Sequence, residues 1–258
     1  MKTILVTGAG SGFGKFYSLS LAKRGFDVIA ACELQSQITS LEKASEELNV
    51  KLKVIKVDIA DSSDREYAAR FDVDILVNNA GIGEGGAIVD IPEHVLRRQI
   101  EVNYFSSIFL TQLFLRKFAQ KKQGRVVFVS SVGGIISAIK NGAYCASKHA
   151  IEASAQAIRE EMKDFNISIA TINPGPYKTG FNDRLIEASN NWFVKGETVI
   201  DHSNPQFPME QFPEDSDIEA MVDVIVDENS KFRNVFPLEM NETIKNMQKD
   251  VWTIKSHF

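Results

Sequence analysis

A short apolar run, Ile4-Leu5-Val6, leads into Thr7-Gly8-Ala9-Gly10-Ser11-Gly12-Phe13-Gly14, and an amphipathic helical pattern over about 13–24 follows at once. Few folds accept that order. Glycine lets the backbone turn tightly and approach a ligand closely, and the first turn of a helix offers free N–H groups to an anion. A strand, a glycine turn and a helix therefore make the place where an open α/β sheet holds a dinucleotide pyrophosphate. Glycines also mark ordinary turns, so the rest of the chain has to agree. The phosphate loop of nucleoside triphosphatases is a near miss. Gly14-Lys15 matches its end, but Ala9 stands where its first glycine belongs and Phe16 where its Ser or Thr belongs.

Val28–Ala31, Leu52–Val57, Ile75–Val77, Val126–Val129 and Ile167–Ile172 are further Val/Ile-rich runs with little polar alternation. That is the pattern of strands covered on both faces. Helical patterns over 37–48, 62–70, 93–121 and 143–163 lie between them. The alternation predicts an α/β fold with a parallel sheet and right-handed crossovers. The glycine unit selects a Rossmann-like doubly wound sheet of about seven strands, with helices on both faces, over a barrel. Residues 1–258 read as a single domain. Phe232–Phe236 is a candidate last strand, 215–228 and 239–254 read as helices, and Trp252 reads as an anchor for the tail. Residues 181–217 differ: Phe181, Trp192, Phe193, Phe207 and Phe212 are spaced by Pro205, Pro208 and Pro213, with one short helix near 182–189. Such a stretch is a lid over a substrate, or an excursion that tucks its aromatics onto the body.

A formal charge of −5 offers no basic surface to nucleic acid. Lys121-Lys122 and Arg97-Arg98 read as solvated helix faces. The two cysteines, Cys32 and Cys145, fit reduced, packed thiols. His94, His149, His202 and His257 lack metal-ligand spacing, so no structural metal is expected. The chain opens on a buried strand rather than a secretory leader, and no apolar run reaches membrane-spanning length. The expectation is a soluble, cytoplasmic protein without a membrane partner.

Tyr144 and Lys148 are four residues apart and so share one face of the 143–163 helix. An ammonium beside a phenol favours the phenolate, which makes a proton donor and acceptor near neutral pH. Ser131 stands thirteen residues before Tyr144, at the carboxyl end of the Val126–Val129 run, with Ser130 its rival. Ligands bind at that edge of open α/β sheets. Neither serine has the Gly-x-Ser-x-Gly elbow of a hydrolase. Asp58, just after Val57, can accept from an adenine amino group or cap a turn. Asn78-Asn79-Ala80-Gly81 follows Ile75–Val77, and its amides can tie strand ends together while its small residues admit a ligand. Pro174-Gly175-Pro176-Tyr177-Lys178-Thr179 closes the Ile167–Ile172 run.

Together these motifs resemble the short-chain dehydrogenase/reductase family over about residues 1–180. Thr7-Gly8-x-x-x-Gly12-x-Gly14, Asn78-Asn79-Ala80-Gly81, Asn103, Ser131, Tyr144-x-x-x-Lys148 and Pro174-Gly175 stand in the family's order. The resemblance implies an NAD(P)-dependent oxidoreductase that moves a hydride between nicotinamide and an alcohol or carbonyl carbon. It implies Tyr144 as general acid/base, Lys148 lowering the Tyr144 pKa and holding the nicotinamide ribose, Ser131 polarising the substrate oxygen, and Asn103 supporting a water in a relay to Lys148. Cofactor contacts are implied at Gly8, Ser11, Gly12, Phe13, Gly14, Glu33, Asp58, Ile59, Asn79, Ala80, Gly81, Tyr144, Lys148, Pro174, Gly175, Tyr177 and Thr179. The usual acidic position after the second strand is Cys32, with Glu33 next. Glu33 would repel a 2′-phosphate, which favours NAD, with NADP the alternative should Lys15 or Arg24 reach a phosphate. The Gly-Ser-Gly-Phe-Gly and Tyr-Cys-Ala-Ser-Lys forms are similar to the steroid- and retinol-active branch, and with the lid aromatics they imply a hydrophobic small-molecule substrate. Ile151, Ala155, Ile158 and Met162, interleaved with Ala153, Ser154 and Ala157, imply a homodimer or homotetramer paired through this helix. A non-catalytic dinucleotide sensor or scaffold is the alternative function. A sugar-nucleotide epimerase is disfavoured by the short C-terminal region.

Overall fold

The computed structural model describes residues 1–204, 207 and 209–257. Pro205 and Pro208, read above as punctuating the lid, lie outside the described residues. Seven strands, β1 (Thr3–Thr7), β2 (Asp27–Cys32), β3 (Lys53–Lys56), β4 (Ile75–Asn78), β5 (Gly124–Val129), β6 (Ile167–Pro174) and β7 (Arg233–Phe236), form one sheet in the order β3-β2-β1-β4-β5-β6-β7. Every neighbouring pair is parallel. The order reverses between β1 and β4, so the crevice at this switch point lies beside the glycine turn, where ligands bind in such sheets.

Side chains alternate across a strand, and both faces here are apolar. Ile4, Val6, Val28, Ala30 and Cys32 pack on one side with Tyr17, Leu21, Leu41, Met221 and Val222. Those partners come from α1 (Gly12–Lys23), α2 (Gln35–Glu47) and α8 (Ile218–Val226). Leu5, Ile29, Ala31 and Ile55 pack on the other side with Ala68, Leu110, Phe114, Phe118, Ile151 and Ala155. These partners lie on α3 (Ser62–Ala68), α5 (Ser107–Lys121) and α6 (Gly142–Glu161).

The expected helix over 93–121 runs without a gap, but not as one α-helix. It runs as α4 (Glu93–Ile100), a π-helical segment Glu101–Ser106, and α5. A single widened turn of this kind re-aims one side chain. Here Asn103 lies inside it, 2% exposed. After β6 come α7 (Phe181–Glu187), a 3₁₀ turn Ala188–Asn191 and a stretch up to α8 with no helix or strand among its described residues. The tail forms α9 (Met240–Asp250) and ends short of Trp252, which is 89% exposed in the single chain. The apolar side chains of α6 also face inward: Ile151 and Ala155 lie in the core, Ile158 and Met162 pack against it, and Ala153 and Ala157 stay outside with polar residues such as Gln156 and Arg159.

Candidate active site

The glycine turn is shaped by close approach. Gly8 has φ of +63°, where a side chain is strained, and a Cβ there would lie 2.7 Å from the Ala80 Cα. A Cβ on Gly14 would lie 2.3 Å from the Gly8 carbonyl oxygen. Asn79 explains the closeness: its Nδ2 donates to the Thr7 and Gly8 carbonyls at 2.9 and 3.2 Å. The Thr7 hydroxyl accepts from the Asn79 and Ala80 N–H groups, both at 3.0 Å. The turn after β1 is thus sewn to the end of β4. Ser11 stands at the N-cap of α1 without a side-chain hydrogen bond to the helix, so it leaves first-turn N–H groups for an anion. This cradle fits a pyrophosphate.

A cleft of about 1620 Å³ opens over it at the carboxyl ends of the strands. A pocket for one ligand is usually about 300–1,000 Å³, so there is room for a dinucleotide and a second molecule. Gly8, Ser11, Asn79, Ala80 and Gly81 line its floor. Ser131, Tyr144, Lys148, Pro174 and Gly175 line one side, and Thr179 comes in from above, 3.5 Å from where a Gly12 Cβ would be. Gly12, Gly14 and Asn103 stand behind the wall rather than in it.

The end of the cleft under β2 and β3 is lined by Glu33, Gln37, Asp58 and Ile59. It carries two carboxylates, while the cations that line the cleft, Arg97, Arg98, Arg184 and Lys148, come from α4, α7 and α6. Arg24 is committed elsewhere, to Glu219 and Asp223 of α8 at 2.5 and 2.6 Å, so it does not reach a phosphate here. Asp58 is itself a turn former, its Oδ1 accepting from the Ala60 N–H at 2.8 Å. Gln37 was not singled out from sequence. It sits at the third position of α2, its Oε1 accepting from the Leu34 N–H at 3.0 Å, and its side chain lies against Gly10.

At the other end Tyr144 and Lys148 project from α6 beside Ser131, which caps a 3₁₀ turn, its Oγ accepting from the Gly133 N–H at 3.0 Å. Burial pushes the Tyr144 phenol well above its ordinary value, and the Ser131 hydroxyl pulls it partly back. The Lys148 Nζ stands 5.8 Å from the Tyr144 ring centre and donates to the Val129 carbonyl at 2.8 Å. Its own pKa is pushed down to about 8 by burial, against the opposing pull of the Glu152 charge. Tyr144 therefore holds its proton at neutral pH.

Asn103 spends both amide atoms on neighbours. Its Oδ1 accepts from the Ile82 N–H at 2.8 Å, and its Nδ2 donates to the Ile82 carbonyl at 3.0 Å and the Ser147 hydroxyl at 3.1 Å. Ser130 is buried and its Oγ has no partner among the described residues. Cys32 and Cys145 are both held as thiols, Cys32 up to about 11, by burial.

The lid aromatics divide. Phe181 lies over Tyr144 with ring centres 5.5 Å apart, and with Leu185 and Phe207 it lines the cleft. Trp192 and Phe193 instead pack on His202, and Trp192 covers Gly86. Phe13 and Tyr177 pack edge to face at 5.3 Å, and the Tyr177 hydroxyl donates to Asp217 at 2.8 Å. Both still border the cleft, but their first task is to hold α1 to the segment after β6.

A doubly wound parallel sheet with a glycine cradle and a Ser, Tyr and Lys cluster at one cleft defines a dinucleotide-fold oxidoreductase. The chain belongs to the short chain dehydrogenase family, whose model matches residues 2–190. It is 34% identical over 189 residues to the oxidoreductase YbbO of Escherichia coli strain K12, covering 71% of this chain and 69% of that protein. It is 31% identical over 186 residues to a 3-ketodihydrosphingosine reductase of Bacteroides thetaiotaomicron, covering 70% of this chain and 65% of that one. Among solved structures, a short-chain dehydrogenase of Burkholderia phymatum in complex with NAD superposes with a TM-score of 0.81 at 17% identity, over 98% of this chain and 94% of its own. A short-chain dehydrogenase of Sphingobium yanoikuyae in complex with NADPH gives 0.77 at 21%, over 100% and 98%.

Proposed function

We propose that this protein moves a hydride between NAD(H) and the carbon of an apolar alcohol or ketone. The observation that carries the reading is the convergence of Ser131, Tyr144 and Lys148 on the cleft that also holds the glycine cradle. A bound nicotinamide would supply the hydride. The chain's own groups then have the proton to manage. Tyr144, held protonated, gives its proton to the oxygen of a ketone, or takes one back from an alcohol. The Ser131 hydroxyl, beside that phenol, is placed to donate to the same oxygen. Lys148 puts a positive charge close enough to stabilise the phenolate left behind. Asn103 fixes the loop after β4 through Ile82, so its task is to shape the floor under the nicotinamide. Residues 181–217 form the substrate lid, and Phe181, Leu185 and Phe207 give the substrate an apolar wall. The likeness to a reductase of a lipid ketone supports both the reaction and the apolar substrate. Incubation of the protein with NADH and a panel of apolar ketones, followed at the nicotinamide absorbance, tests the reading; no oxidation of NADH with any of them would count against it.

Glu33 and Asp58 support NAD over NADP. A 2′-phosphate would face these carboxylates, and a repulsion of about 1.4 kcal/mol is tenfold in affinity. NADH is expected to bind roughly tenfold or more tightly than NADPH in a fluorescence titration. Tighter binding of NADPH would overturn the assignment.

A homodimer or homotetramer fits the outer face of α5 and α6. Phe105, in the 101–106 segment, and Phe109, on α5, are 41% and 43% exposed and stack on each other, and Tyr104 beside them meets Ser154 of α6 at 3.0 Å. Light scattering is expected to give a multiple of the 28.7 kDa chain mass, and a monomer at micromolar concentration would refute the pairing.

A further inference from the structure

Glu152 lies one helical turn after Lys148 on α6 and is 4% exposed. A carboxylate that deep is unfavourable unless it is paired and hydrogen-bonded. Its Oε2 accepts from Nε and Nη2 of Arg233 on β7, at 3.0 and 2.8 Å. Its Oε1 accepts from Nδ2 of Asn173 on β6, at 2.6 Å. The same Nδ2 donates to the Ser131 carbonyl at 3.1 Å, while Asn173 Oδ1 accepts from the Thr171 hydroxyl at 2.8 Å. Turning the amide over would set its oxygen against both the carboxylate and the Ser131 carbonyl. The carboxylate thus fixes the Asn173 amide, and the amide fixes the backbone of Ser131.

We propose that Glu152 is a positioning residue with two tasks, keeping Lys148 charged and holding Ser131 in register, and that Arg233 is the counter-charge that sets how strongly it does so. The proposal rests on the reading of Ser131, Tyr144 and Lys148 as the proton-transfer group. Among the described residues Lys148 forms no ion pair, and its Nζ donates to the Val129 carbonyl. The Glu152 field is the attraction that opposes its burial. The titratable groups around this pair are Tyr144 and Cys145 on the same helix and Arg233 on β7. The 101–106 segment brings the neutral Asn103, β5 brings the Val129 carbonyl, and β6 brings Asn173. A negative charge kept near Lys148 moves its titration to higher pH, and the Arg233 charge works the other way.

Two single variants therefore act with opposite sign. Glu152→Gln removes the negative charge and leaves Arg233, so Lys148 loses its proton at lower pH. Arg233→Gln removes the opposing cation, so Lys148 keeps its proton to higher pH. Each shift is expected to be about one pH unit. It is read in the cofactor-free protein from the ¹⁵N NMR titration of the Lys148 Nζ, with thermal melting as the check on folding. The alkaline limb of kcat/KM for ketone reduction is expected to move in the same direction for each variant. Shifts of opposite sign in the two variants would support the proposal. An unmoved titration, or shifts of the same sign, would overturn it whatever happens to turnover. Should Glu152→Gln not fold, Arg233→Gln decides alone, and a titration that stays put or moves down ends the proposal. The failure of the hydride-transfer reading is separate, because it shows as full turnover by a Tyr144→Phe variant while the Lys148 titration keeps its dependence on Glu152.

Discussion

Tyr144→Phe is expected to lower kcat for ketone reduction by about 10²–10⁴-fold, the usual range for removing a general acid. The ring is kept, so its contact with Phe181, 5.5 Å between centres, survives and the lid has no reason to move. Only the hydroxyl is lost. The Tyr144 phenol keeps its proton at neutral pH because burial raises its pKa, so in the direction of ketone reduction it is a filled proton donor with nothing to replace it. The Ser131 hydroxyl remains, but an alcohol is a far weaker acid than a phenol and cannot take over. The melting temperature is expected to stay within a degree or two of the parent, since no buried partner is orphaned. Dinucleotide binding, read by fluorescence, is expected to persist because the glycine cradle is untouched. The result that would sink the mechanism is a variant that binds dinucleotide and turns over as fast as the parent. A parent that binds dinucleotide but turns over no ketone or alcohol would instead favour the sensor reading.

Much of this arrangement is legible in the chain because it is local. A central parallel strand has apolar residues on both faces, so Ile4–Val6 and Val126–Val129 announce themselves. Tyr144 and Lys148 share a helix face, and four residues of spacing are enough to pair them. What escaped depends on partners that arrive from far along the chain. The π-helical turn at Glu101–Ser106 is one case: nothing in Glu-Val-Asn-Tyr-Phe-Ser forbids an ordinary helix. The extra residue is set by Asn103 meeting Ile82, 21 residues away. Glu152 is another. On sequence it is one more acidic residue on an amphipathic helix, and solvent is the expected neighbour. It becomes a buried centre only because Arg233 comes in from 81 residues away on β7. Arg24 shows the reverse error: a base in the chain looks available to a phosphate, but it stands at the far end of α1 from the glycine turn, and α8 brings Glu219 and Asp223 to it. Trp192 is a fourth: the sequence leaves it either a substrate contact or lid packing, and His202 and Gly86 decide for packing.

Gly14→Ala is expected to abolish measurable dinucleotide binding and to destabilise the fold at once. The added methyl would lie 2.3 Å from the Gly8 carbonyl oxygen and 2.4 Å from the Asn79 Nδ2. Neither neighbour is free to give way. The Gly8 carbonyl and the Asn79 amide are joined to each other at 3.2 Å, and the same amide holds the Thr7 carbonyl at 2.9 Å. The methyl must therefore push α1 away from the turn or break the bond between the ends of β1 and β4. Forcing a methyl into packed surroundings costs roughly 1–3 kcal/mol. Either relief also spoils the cradle, because the free N–H groups of α1 and the Gly8 backbone no longer converge on one anion. Gly25→Ala separates the two effects. Gly25 lies beyond the other end of α1, with φ of +85° and nothing within 4 Å of an added Cβ. That substitution carries only left-handed strain, about 1–2 kcal/mol, and is expected to leave dinucleotide affinity unchanged. Denaturant unfolding and fluorescence titration of both variants make the comparison. If Gly14→Ala lost stability but bound NADH as the parent does, the glycine turn would be a packing device and the pyrophosphate would have to sit elsewhere in the cleft.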